Sequence, residues 1–179
     1  NNPIDNEPML WYNNEFTINN WPDPNFQKKQ KHHSLKYVLK KGLGVIDTCA
    51  HIGDYGLPLA KALINLNRGD IIVYCIEPTP SKCEFMENVK TINNLYNVKI
   101  ICKGLYDKIG TFSVPNFGFA GTNKGKNTGA LQWTPDKNGL EFTTLDHLYK
   151  SKEIGEIGFL WLDAQWSEEY ILRGAKKYL

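Results

Sequence analysis

The sequence lacks most of what would take it out of the soluble globular class. Its 179 residues hold no apolar run approaching the ~20 residues that cross a bilayer as a helix, so no membrane span is expected. No two of the four cysteines, Cys49, Cys75, Cys83 and Cys102, have a C-x-x-C spacing. Three of them fall in segments that read as buried strand or strand end, so buried free thiols are expected rather than disulfides or a zinc site. An excess of one charge is also missing. The net charge is +2, from interspersed Lys, Arg, Asp and Glu, with one basic cluster at Lys28-Lys29-Gln30-Lys31-His32-His33. That cluster reads as the solvated face of a helix, and a nearly neutral chain is poorly suited to nucleic acid. The start, Asn1-Asn2-Pro3-Ile4-Asp5, has neither the basic end nor the apolar stretch of an export signal, so a cytoplasmic protein is expected. An Asn- and Lys-rich composition fits an AT-rich genome, and the location would be the host cytoplasm if the source is a virus.

What is present is an ordinary globular composition, 41% hydrophobic and 22% charged, at a length suited to one domain with its own core. Residues 1–41 read as an arm and helix of that domain. The arm, rich in Asn and Pro, carries Trp11, Tyr12, Phe16 and Trp21; a helix follows from Asn25 to Lys41 and stops at Gly42. Residues 42–179 then alternate strand and helix, the pattern of a Rossmann-like, mostly parallel α/β sheet with helices on both faces. Strands are expected at Val45–Asp47, Ile71–Ile76, Val98–Cys102 and Gly158–Asp163, all buried, with a further one at Thr111–Val114. Helices are expected at Leu57–Leu66, after Thr79 as its cap with Phe85, Met86, Val89 and Ile92 as its apolar stripe, from Leu145, and after Ser167 as its cap with Glu168 and Glu169 at its positive end and Lys176 and Lys177 at its negative end. Pro115 to Gly139 reads as a long surface loop of the kind that contacts substrate.

The sharpest local signal is Val45-Ile46-Asp47-Thr48-Cys49-Ala50-His51-Ile52-Gly53-Asp54, a strand running into a small-residue turn and then a helix. Such a turn lets a ligand approach the backbone, and the helix start offers N–H groups. The next strand ends at Glu77, about where a Rossmann unit puts the acid that binds a ribose hydroxyl pair, so the combination suggests adenosine. No G-x-G-x-x-G is present to hold a pyrophosphate, and Asp47 at the strand end would repel one. The preference is for a cationic adenosyl ligand, S-adenosylmethionine (SAM), over NAD.

These segments resemble the FkbM-type methyltransferases, whose first motif reads Val-Ile-Asp-Val-Gly-Ala-Asn-Ile-Gly; here Cys49 replaces the first Gly and His51 the Asn. The resemblance continues through Ile76-Glu77-Pro78, Asn93-Asn94-Leu95, Gly104-Leu105-Tyr106-Asp107, Thr143-Thr144-Leu145-Asp146 and Trp161-Leu162-Asp163-Ala164-Gln165-Trp166-Ser167-Glu168, covering about Lys41 to Leu179. It implies a class I SAM-dependent methyltransferase fold. Asp47, Ala50, His51 and Gly53 would line the methionine and ribose of SAM, with Cys49 and Asp54 in the same turn. Glu77, beside Pro78, would grip the ribose hydroxyls, Gly104 and Leu105 would lie against adenine, and Asp163 would face the methyl group and the acceptor. The family's sheet normally continues past the last helix, so the resemblance also implies final strands that this sequence does not supply.

Methyl transfer to an alcohol needs an aligned acceptor and a base. Asp163 is the first candidate, acting directly or through a divalent metal, followed by His51; His147 fits better on the exposed face of its short helix. The segment Gly121-Thr122-Asn123-Lys124-Gly125-Lys126-Asn127-Thr128 resembles a phosphate-binding loop, but its spacing and flanks do not fit one. With Trp133 behind it, Lys124 suits a polyhydroxylated acceptor, a sugar or glycan, and Gln165 and Trp166 would shape the acceptor side. Two alternatives stay open: a methyltransferase for RNA or protein, and a non-catalytic binding module on the same fold.

Overall fold

The computed structural model describes residues 34–113, 134–164 and 167–179. The first described element is helix α1, residues 34–41, which stops where Gly42 takes a left-handed φ of 66°. Next come β1 (Gly44–Thr48), α2 (Gly56–Asn65), β2 (Val73–Ile76), α3 (Pro80–Ile92) and β3 (Val98–Ile101). A smaller sheet is built from β4 (Gly104–Leu105), β5 (Gly110–Ser113), β6 (Thr134–Pro135) and β7 (Leu140–Thr143). Helix α4 (Leu145–Lys150), strand β8 (Ile157–Leu162) and helix α5 (Glu168–Arg173) complete the order.

The main sheet is parallel throughout, in the order β3-β2-β1-β8. Alternation along its strands divides the core in two, because successive side chains leave opposite faces. Val45, Val73 and Cys75 pack with Leu35 and Val38 of α1, Leu59 and Leu63 of α2, and Met86 and Val89 of α3. Ile46, Tyr74 and Ile76 face the other way, onto Leu145 and Leu148 of α4 and Ile171 of α5. Helices cover both faces, so this is the expected Rossmann-like α/β fold. Full burial of each large aliphatic side chain, such as Ile46 or Leu57, contributes on the order of 1.5–3 kcal/mol. The buried Asn97 adds a polar tie, donating from Nδ2 to the Ala60 carbonyl of α2 at 3.1 Å.

The smaller sheet has the order β4-β7-β5-β6, with β4 parallel to β7 and the other pairs antiparallel. Its core is aromatic: Phe112 meets Phe142 edge-on at 5.4 Å, and Tyr106 meets Phe112 at 5.5 Å. Tyr106 also stacks at 4.8 Å on Tyr170, so the small sheet is fastened to α5.

Several local expectations need correction. The second strand begins at Val73 rather than Ile71, and the third ends at Ile101, leaving Cys102 exposed. β8 is only half-buried along its length, because among the described residues it pairs with β1 alone. Ile92 is exposed rather than part of the apolar stripe of α3. Neither Thr79 nor Ser167 caps its helix with a side chain. α5 ends at Arg173, so Lys176 and Lys177 lie beyond it in turns. The stretch expected to be loop through Gly139 contains β6 and the turn into β7. Its part from 114 to 133 lies outside the described residues, as do the arm and the Lys28–His33 cluster.

Gly104 packs directly beneath the Phe142 ring, where an added Cβ would clash with the ring carbons. Phe142 is itself wedged by Phe112 and Tyr106 and has little room to yield. Gly104→Ala is expected to destabilise the protein by about 1–3 kcal/mol, read from urea unfolding, whereas an unchanged midpoint would mean the small sheet adjusts freely.

Candidate functional site

The carboxyl ends of β1, β2 and β8 meet where the strand order reverses. β1, α2, β2, α3 and β3 step in one direction across the sheet, and the chain then returns to place β8 on the other side of β1. In open α/β sheets this switch point leaves a crevice in which ligands bind. The register pairs Thr48 with Leu162, so the loop after β1 and Asp163 after β8 stand side by side. Thr48 Oγ1 closes the junction by donating to the Trp161 carbonyl at 2.9 Å, and Trp161 stacks on Tyr55 at 4.3 Å.

The loop after β1 is tightly wound. Cys49, His51 and Gly53 have φ of 50°, 53° and 79°, three left-handed residues at alternate positions. Only Gly takes this conformation without cost; elsewhere it persists where surrounding bonds enforce it. Those bonds come from β2. The Ala50 N–H donates to the Ile76 carbonyl at 3.0 Å, and the His51 N–H donates to Glu77 Oε2 at 3.0 Å. The positions where the resembled motif has Gly, Asn and Gly are the ones held left-handed, so Cys49 and His51 sit in backbone that suits the residues they replace. The Cys49 side chain turns into the core cluster of Ile46 and Ile76.

Glu77 is the hub of this arrangement. It is buried, and besides the His51 N–H it accepts the Thr79 N–H on Oε1 at 3.1 Å, with Lys82 Nζ 3.5 Å away. It therefore ties the loop after β1 to the start of α3. A carboxylate offers about four acceptor sites, so this internal use is compatible with a ligand hydroxyl pair. Asp47 is also buried, and its Oδ2 accepts the Gly56 N–H at 2.9 Å, satisfying an otherwise orphaned donor at the start of α2.

Of the residues expected to form the site, Asp47, Cys49, Ala50, His51, Gly53, Asp54, Glu77, Pro78 and Asp163 are brought together at these strand ends. Asp163 is exposed directly after β8. Gly104 and Leu105 instead form β4 of the smaller sheet, both buried, with the Leu105 side chain in the core beside Ile101 and Leu145. His147 is exposed on α4, its N–H donating to the Thr144 side chain at 3.0 Å. Lys124, Trp133, Gln165 and Trp166 lie outside the described residues.

Two participants went unassigned from sequence. Lys82 faces Glu77 from the first turn of α3, and nothing in its spacing signals this. Glu168 accepts the Ala164 N–H at 2.9 Å, folding the end of β8 back onto α5. It matches the last residue of the resembled motif, but from the sequence it reads as a charge at the positive end of a helix.

The electrostatics of the crevice are acidic. Burial, then Glu77, Asp47, Glu168 and Asp163 in that order, push the Cys49 thiol up to about 12. His51 is lowered from its ordinary 6.5, first by burial and then by Lys82, against opposing pulls from Asp54 and Glu77. Among the described residues no three His, Cys, Asp or Glu side chains are grouped so as to hold a metal ion. No helix there is long and apolar enough to cross a membrane. No family model, curated protein or solved structure matches the chain.

Because folded His51 holds its proton less tightly than the unfolded chain does, its contribution is present above the ordinary histidine range and is lost as pH falls through it. The melting temperature is expected to fall between about pH 7.5 and about pH 5.5, and His51→Asn, which tolerates left-handed backbone, is expected to flatten that slope. An unchanged slope in the variant would show that His51 is solvated.

Proposed function

We propose that the chain is a SAM-dependent O-methyltransferase acting on a hydroxyl of a sugar or glycan. The observation that carries this reading is the gathering of Asp47, Glu77 and Asp163 at the carboxyl ends of the adjacent strands β1, β2 and β8, at the switch point. A crevice walled by carboxylates favours a ligand carrying sulfonium and ammonium charge and repels a diphosphate, which separates SAM from the nicotinamide and flavin dinucleotides. The residues present fit SAM: Glu77 would accept ribose hydroxyls on its remaining lone pairs, and the left-handed turn at Ala50–Gly53 would let a ligand approach the backbone.

When bound, SAM supplies an electrophilic methyl group. The chain's own residues position and deprotonate the acceptor. Asp163, exposed at the end of β8, accepts the proton of the acceptor hydroxyl. Thr48 and the Tyr55–Trp161 stack hold β1 and β8 together, so that the proton acceptor keeps its place relative to the loop. Lys82 offsets part of the negative charge at Glu77 and keeps that carboxylate oriented. The acceptor class rests on the sequence of the polar segment before β6, where Lys124 and Trp133 offer hydrogen bonding and stacking.

A second reading, a non-catalytic binding module, is favoured by one feature. Both Glu77 oxygens already accept protein N–H groups, and Cys49 fills space where the resembled motif has none.

Titration calorimetry with SAM, with NAD as control, separates the two. Micromolar binding of SAM but not NAD is expected, weakened about tenfold or more in Glu77→Gln. Asp163→Asn is expected to keep SAM affinity within a few-fold and to lower methyl transfer to a glycan acceptor by about a hundredfold or more. Folded protein that ignores SAM would overturn the methyltransferase reading in favour of the binding module.

A further inference from the structure

Two thiols lie beside Glu77 that the proposed chemistry does not use. Cys83, in the first turn of α3, is buried, and its S–H donates to the Glu77 carbonyl oxygen at 3.1 Å. Cys102 directly follows β3 and is exposed. The register that pairs Ile76 with Ile101 extends one step further, where the Glu77 N–H donates to the Ile101 carbonyl at 3.1 Å. Cys102 is thereby the lateral neighbour of Glu77, whose carbonyl holds the Cys83 thiol, so the two cysteines flank one residue. Both cysteines are free.

We propose that Cys83 and Cys102 are a reversible dithiol–disulfide pair, oxidised by exchange with a low-molecular-weight disulfide such as oxidised glutathione, whose closure bolts the start of α3 to the end of β3 across Glu77. Exposure assigns the order. The Cys102 thiolate attacks one sulfur of the small disulfide, forming a mixed disulfide and expelling one small thiolate. The Cys83 thiolate then attacks the Cys102 sulfur, forming the internal bond and expelling the second. The two protons lost by the protein pass to the two expelled thiolates, so the small disulfide is reduced to two thiols while the protein loses two hydrogens. Burial makes Cys83 a poor first nucleophile but a well-placed second one, since both cysteines flank Glu77. Closure exchanges the Cys83 bond to the Glu77 carbonyl for a covalent tie spanning α3 and β3, which limits how far those elements separate on unfolding. The proposal concerns α3 and β3 and holds whatever ligand Glu77 contacts.

The test treats the full chain with oxidised glutathione at mildly alkaline pH and reads intact mass, linked peptides after digestion, and thermal melting. The expected product is lighter by two hydrogens, contains a peptide joining Cys83 to Cys102, melts on the order of 5 °C higher, and reverts with dithiothreitol. Cys102→Ser, a change at an exposed position, is expected to show none of these. A wild-type chain that stops at a persistent glutathione adduct would overturn the proposal. So would a two-hydrogen loss that survives in Cys102→Ser, since it would place the bond between other thiols.

Discussion

The carboxylate of Glu77 is the interaction on which the crevice depends. One oxygen receives the loop after β1 and the other the start of α3, while the backbone of the same residue pairs with β3 and holds the Cys83 thiol. A buried charge is costly unless it is hydrogen-bonded and paired, and here two backbone donors and Lys82 meet that requirement. In return the charge enforces a backbone path that Cys49 and His51 would not adopt alone. Left-handed residues turn backbone N–H groups toward anions, and in this protein the His51 N–H meets an anion that is one of its own side chains.

That choice shapes what the crevice can bind. A loop whose His51 N–H is spent on an internal carboxylate has less to give an external phosphate, and the surrounding Asp47, Asp163 and Glu168 add negative potential. The outcome is a Rossmann-like sheet with the polarity of its first turn reversed from that of a dinucleotide site. Burial first, and the same polarity second, keep the Cys49 thiol protonated.

The main sheet was legible in the sequence because its strands are buried on both faces and read as continuous apolar runs, as at Val73–Ile76. The strand-end acids were legible as positions, since a carboxylate that closes an apolar run, as Glu77 does, stands out against it. The small sheet was harder to see. β4 and β6 are two residues each, too short for any periodicity to register, and β6 contains a proline. The side-chain partners of helix starts were missed because the carboxylates that satisfy them, Asp47 for α2 and Glu77 for α3, come from preceding strands and not from the cap positions. β8 reads like its neighbours in composition, and only its place in the strand order leaves it half-exposed.

The loop between β1 and α2 is tied through the Ala50 and His51 N–H groups to Ile76 and Glu77 at the end of β2, more than twenty positions further along the chain. Left-handed backbone at Cys49 and His51 is not favoured locally, and the bonds that enforce it form only once β2 has docked beside β1. In folding, the turn is therefore a consequence of sheet assembly and not its nucleus. A nascent or partly unfolded chain has its strands before it has its crevice, and affinity for any ligand held there becomes a measure of how completely the first three strands have come together.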